Sequence, residues 1–176
     1  QENSDMLVDE TQQIVFTSGT FRFGYRAIPL DRVGEITDVQ VSEIIDGVER
    51  PYTPGSTGEY GFTTSVSDGE LQITWYFPPT GNSTHTYIIR YRVVGGLRFY
   101  EGGDQVWWKA IAPDHNFPIR SSRVTITLPE TIAQDQLIVA SYGAEATTYY
   151  GDQGQVVFEA QDIPVDQEFE VRVEFP

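Results

Sequence analysis

"LQITWYFPPTGNSTHTYIIRYRVV", residues 71–94, decides the fold. Leu71, Ile73, Trp75 and Phe77 take every second position, and Tyr87, Ile89, Tyr91 and Val93 do so again after a break. A period of two places one set of side chains on a buried face and the other in water, which is the signature of a strand. The break, Pro78 to Asn82, is turn chemistry: proline cannot donate to a ladder, and Gly-Asn tolerates tight bends. Asn82-Ser83-Thr84 also fits the N-glycosylation pattern, but as a link between two strands it reads as a hairpin turn.

The same period runs outward in both directions. Ile14 and Phe16, then Phe21, Phe23 and Tyr25, then Val39 and Val41 precede it; Val106, Trp108 and Ala110, then Val124, Ile126 and Leu128, then Val156 and Phe158, then Phe169, Val171, Val173 and Phe175 follow. Turn residues separate them at Asp46-Gly47, Asp68-Gly69, Gly95-Gly96, Gly102-Gly103 and Gly151 to Gly154. No segment keeps a helical period, and the best short helix candidate is Glu130 to Gln136. About nine to eleven closely spaced strands predict an all-β, antiparallel sandwich, immunoglobulin-like in layout, formed as a single domain over residues 1–176. Asp46 to Ser67 has the weakest period and reads as a long loop or irregular edge.

Composition bounds the function. The chain has 176 residues, enough to bury a core, and a net charge of -15. So acidic a surface repels phosphate backbones, and nucleic acid is excluded as a partner. Without cysteine there is no disulfide, thiolate metal site or thiol nucleophile. No apolar run reaches the roughly 20 residues of a membrane helix. The chain opens on Gln1, as a processed or excised piece does, so any membrane anchor is expected outside it.

Candidate chemistry is sparse. His85 and His115 are far apart in sequence, and no metal motif joins them. Acidic loops such as Asp31 to Asp38 read as solvated, and no metal or other cofactor is expected. Pro54-Gly55-Ser56-Thr57-Gly58 lacks the first glycine of a nucleophile elbow. Glu168, Glu170 and Glu174 alternate with the buried set of the last strand and are read as facing water. Trp107 and Trp108 are neighbours on a strand and point to opposite faces. Trp108 joins the apolar set with Val106, while Trp107 sits on the wetter face near the loop that holds His115. Arg26 precedes Ile28-Pro29, which ends its strand; it is expected as a structural clasp on backbone carbonyls or a carboxylate such as Asp31 or Glu35.

Five stretches together resemble a known family. They are "TFRFGYRAIPL" (20–30), "THTYIIRYRVVGGL" (84–97), "QVWWKAIAPDHNFPI" (105–119), "RVTITLPE" (123–130) and "EVRVEFP" (170–176). In this order they are similar to a bacterial family of predicted membrane proteins, the domain of unknown function DUF2207. Lys109 stands where that family prefers asparagine, and Phe117 where it prefers a second tryptophan. Of the family's opening strand only Val8-Asp9-Glu10 is visible, so the first edge strand is expected to be curtailed. The resemblance implies a β-rich domain on the extracytoplasmic side of the cell membrane, with a transmembrane helix outside this sequence and no established reaction.

The sequence thus reads as a non-enzymatic extracytoplasmic domain of a membrane protein, an interaction or sensing module for a protein or envelope component. The rival reading is a carbohydrate-binding or glycan-active module that uses an acidic cleft near Trp107, His115 and Glu101.

Overall fold

The computed structural model describes residues 4–31 and 33–176, with Gln153 described by its backbone. The chain is all-β, with 15 strands and two short 3-10 turns among the described residues. It divides into two compact units, residues 1–96 and 97–176, where the sequence reading expects a single sandwich. Each unit carries its own two sheets.

The first unit holds β1 (Met6–Phe16), β2 (Phe21–Pro29), β3 (Glu35–Ile45), β4 (Val48–Pro51), β5 (Thr53–Pro54), β6 (Gly61–Ser67), β7 (Glu70–Thr80) and β8 (Ser83–Val94). Its sheets run β1-β8-β3-β4 and β2-β7-β6-β5, antiparallel except for the short β5–β6 pair. The second unit holds β9 (Leu97–Tyr100), β10 (Gly103–Ile111), β11 (Ile119–Thr127), β12 (Ile138–Gly143), β13 (Ala146–Tyr150), β14 (Gln155–Ile163) and β15 (Phe169–Phe175). Its sheets run β12-β15-β10-β9 and β11-β14-β13, antiparallel throughout.

Strands outnumber the expected nine to eleven because three of them, β4 to β6, lie in the stretch read as loop. Turn chemistry explains their presence. Asp46-Gly47 and Asp68-Gly69 all have positive φ and join β3 to β4 and β6 to β7 as two-residue hairpins. The opening strand is not short: β1 pairs with β8 from Met6 to Phe16 without a register shift.

The first core is built from the alternation in residues 71–94. Ile73, Trp75 and Phe77 of β7 meet Tyr87, Ile89, Tyr91 and Val93 of β8, all buried. Ring contacts join the two sheets face to face: Trp75–Tyr87 at 5.5 Å and Phe77–Tyr87 at 5.4 Å between centroids. β7 and β8 therefore lie in different sheets, and Gly81-Asn82 carries the chain from one to the other. The hairpin reading of that turn is corrected. The β1–β2 and β7–β8 connections both pass between the sheets and abut, since a Cβ on Gly81 would lie 2.3 Å from the Gly19 carbonyl oxygen. In the second unit Val156, Phe158 and Ala160 of β14, with Phe169, Val171 and Val173 of β15, are among the buried residues.

The aromatic set of β2 is reversed from the sequence expectation. Phe21, Phe23 and Tyr25 are 43%, 56% and 55% exposed. The alternate set, Arg26 and Ile28, is buried. Arg26 enters the core because a carboxylate waits there. Its Nε donates to Glu10 Oε2 at 3.0 Å, and its Nη1 donates to the Ala27 carbonyl at 2.6 Å. Tyr91 O–H donates to the same Glu10 carboxylate. The clasp is as expected in kind, but its carboxylate is Glu10 on β1. Burial works against the charge on Arg26, yet Glu10 and Tyr91 outweigh it, and the guanidinium pKa lies above its ordinary value.

Exposed ion pairs dress the outer face of β1, β8 and β3. Arg90 pairs with Asp9 at 2.8 Å and with Glu49, and Arg92 pairs with Asp38 at 3.1 Å and Asp5 at 3.4 Å. Hydrogen bonds from Arg90 and Ser42 hold the Glu49 carboxyl at about 2, against an ordinary 4.5. A carboxylate depressed in the folded state stabilises above its unfolded value and loses that contribution as pH falls. For Glu49 the loss falls between about pH 4.5 and about pH 2. The pair is exposed, so its effect is small and screened by salt. An NMR titration is expected to find the Glu49 midpoint near 2 and to return it toward 4.5 in Arg90→Gln. An unmoved midpoint would refute the assignment.

Candidate functional site

The sheet register separates the two tryptophans of β10. Trp107 lies opposite Arg172 of β15, and Trp108 lies opposite Val171. Trp108 is half-buried on the face of Val171 and Val173. On the other face Trp107 stacks on Tyr142 of β12, with centroids 5.8 Å apart and ring planes at 27°. The Arg98 guanidinium lies 5.0 Å from its centroid and that of Arg172 5.9 Å. Cations over an indole are held by the ring's negative face. A sugar stacking on Trp107 has to displace Tyr142 or Arg98.

This face is not the solvated one that alternation suggested. Gln105 and Glu170 are buried on it, and Glu174 is half-buried and accepts from Gln105 Nε2 at 3.2 Å. Glu168 pairs with Lys109. Arg98 Nη2, Arg172 Nε and Gln105 Oε1 are buried without a hydrogen-bond partner. Long side chains from β9, β10, β12 and β15 cover one another, so the polar face is itself a packed layer.

Glu101 and His115 do not converge on Trp107. Glu101 is exposed in the turn before β10, and His115 lies in the loop after it. The strand between them, Gly103–Ile111, is about 27 Å long at the usual rise of ~3.3 Å per residue. Both ring nitrogens of His115 face carbonyl oxygens, Nδ1 that of Phe117 at 2.7 Å and Nε2 that of Gln167 at 2.8 Å. His115 thus ties two loops together through both ring nitrogens. Among the described residues no cluster of three or more His, Asp or Glu side chains is placed to hold a metal ion.

Two arrangements in the first unit escape the sequence reading. The first is the outer face of the sheet that β2 borders. Phe23 lies across from Tyr76, and Tyr25 across from Thr74, which in turn lies across from Thr63 of β6. That face joins exposed aromatic rings to neutral hydroxyls. β2 is also the terminal strand of its sheet, and among the described residues no strand pairs with its outer backbone edge.

The second is a polar line at one end of the core. Ser83 Oγ lies 3.1 Å from His85 Nε2, and His85 Nδ1 lies 2.5 Å from Glu43 Oε1. Tyr52 O–H donates to Glu43 Oε2 at 2.8 Å. Ser83 and His85 share a face of β8 because they are two residues apart. Glu43 reaches them from β3, where it is the cross-strand partner of Tyr87. Burial, then the neighbouring Glu43, pushes the Tyr52 phenol well above its ordinary range, so it stays a donor. The S-x-H spacing was readable in the sequence; the third member, on another strand, was not.

The family profile described as "Predicted membrane protein (DUF2207) N-terminal domain" matches residues 1–175. No curated protein matches the chain. Among the described residues no helix is long and apolar enough to cross a membrane.

Proposed function

We propose, from the premise that this chain belongs to the DUF2207 family of predicted membrane proteins as its N-terminal domain, that it is an interaction module displayed on the extracytoplasmic side of the membrane. The observation that supports this is the exposed aromatic row of β2. Phe23 and Tyr25 are more than half exposed, and aromatic residues are the commonest anchors of protein interfaces. They stand on a terminal strand, where an extended segment of a partner can add to the sheet by backbone hydrogen bonds. The partner is a protein of the envelope. Its binding segment is extended, apolar at alternate positions, and free of acidic residues, because the chain's own charge of -15 repels them.

The test is a pull-down from envelope extracts with the wild-type domain and with Phe23→Ser/Tyr25→Ser. Both side chains are solvent-exposed, so the variant is expected to unfold at the same urea concentration as wild type. A partner retained by wild type and lost by the variant supports the reading. Equal retention by both places the contact elsewhere and sinks it. Retention of soluble envelope glycans in place of protein, lost in the same variant, turns the face into a sugar platform and sinks the reading of a protein partner.

A further inference from the structure

We infer that Ser83, His85 and Glu43 form a reactive-serine centre that acts on small carboxylic esters. This inference does not rest on the binding reading above.

The three groups have the geometry that nucleophilic catalysis by serine needs, recognised by roles and not by sequence order. Glu43, with 4% side-chain exposure, is the buried carboxylate that fixes the imidazole. It accepts from Tyr52 O–H and from His85 Nδ1–H. With its proton on Nδ1, the imidazole offers the Nε2 lone pair toward Ser83 O–H. The tautomer is assigned from this network. Two rings hold the imidazole in place: Phe16 meets it edge-on at 5.8 Å, and Tyr87 stacks on it at 6.1 Å. Glu43 is enclosed, the His85 side chain is 28% exposed, and Ser83 is half-buried at the start of β8. The carboxylate is therefore the most protected member, and the imidazole and the hydroxyl both reach solvent in part.

The step balances as acyl transfer to water. Ser83 Oγ bonds to the ester carbonyl carbon while its proton moves to His85 Nε2 and the carbonyl π pair moves onto oxygen. The tetrahedral adduct collapses, the C–O bond to the alcohol breaks, and the leaving oxygen takes the proton from Nε2. Water repeats the sequence on the acyl-serine and releases the carboxylic acid. Phe21 lies 5.1 Å from Phe16 and is partly exposed beside this end of the core, so the surroundings favour a small apolar acyl group. Glu43 is a positioning residue here, since it acts through His85.

The experiment uses the whole chain and two probes, a fluorophosphonate and p-nitrophenyl acetate. Intact mass and peptide mapping are expected to find one adduct, on Ser83. It should vanish in Ser83→Ala and slow by about 10²–10⁴-fold in His85→Gln, the usual contribution of a general base. Glu43→Gln should slow it as well, since glutamine has one acceptor oxygen for the two donors Tyr52 O–H and His85 Nδ1–H. Labelling in urea, which separates the three side chains, controls for ordinary serine reactivity without any variant and should be lost. No adduct, an adduct on another serine, a rate unchanged in His85→Gln, or a rate unchanged in urea each overturns the inference.

Discussion

Trp75→Ala is expected to destabilise the protein by about 3–5 kcal/mol, the usual cost of deleting a large aromatic from a packed core. Trp75 is the largest side chain that is fully buried, with 0% exposure. Its indole joins the two sheets of the first unit through Tyr87. It also covers Gly24, its cross-strand partner: a Cβ on Gly24 would lie 2.6 Å from indole Cζ2. The indole Nε1 has no hydrogen-bond partner, so the loss in Trp75→Ala is one of packing and apolar burial. Gly24→Ala, which forces the ring aside, is expected to cost about 1–3 kcal/mol on its own. In the Trp75→Ala background the overlap no longer exists, and Gly24→Ala should cost much less. Urea denaturation of the four chains measures this coupling directly. Additive costs would mean that the indole does not rest on the glycine. Trp108→Ala, at a half-buried position, should cost clearly less than Trp75→Ala.

Alternation finds strands well and faces poorly. It places β7, β8, β10, β14 and β15 and separates Trp107 from Trp108, because each of those strands carries one unmistakably apolar set. On β2 both sets have a claim. Phe21, Phe23 and Tyr25 look like the core set, yet the inward set contains an arginine and a glycine. Neither inward residue advertises its role locally. Arg26 is tolerable inside only because Glu10 and Tyr91 arrive from the opposite sheet, and Gly24 is needed only because the Trp75 ring lies on it. The proposed site shows the same limit. Ser83 and His85 are two positions apart and visible as a pair, whereas Glu43 reaches them from another strand. The division at residue 96 also left no trace. Gly95-Gly96 looks like any other turn, and a change of core between sheets alters no period.

The Glu10–Arg26 pair is expected to rival Trp75 in weight. Removing one partner of a buried ion pair leaves the other charge buried and uncompensated, at a cost of about 3–5 kcal/mol. Arg26 is 8% exposed and Glu10 16%, so water compensates only in part. Glu10→Ala takes the carboxylate from the guanidinium and removes the acceptor of Tyr91 O–H. Glu10→Gln keeps an acceptor without the charge and should cost less. Tyr91→Phe removes one donor to Glu10 and should cost about 1–3 kcal/mol, the price of a hydrogen bond to a charged group. The discriminating chain is Glu10→Leu/Arg26→Met. Apolar replacement of a whole buried pair is often neutral or stabilising, because two desolvation costs vanish together. The double variant should therefore unfold at a urea concentration close to wild type, far above either single variant. Its expected failure to add is the mark of a pair whose members are needed only by each other. If the double variant instead loses the sum of the single costs, Arg26 and Glu10 make separate contributions to the core, and the clasp is not the unit that holds β2 against β1.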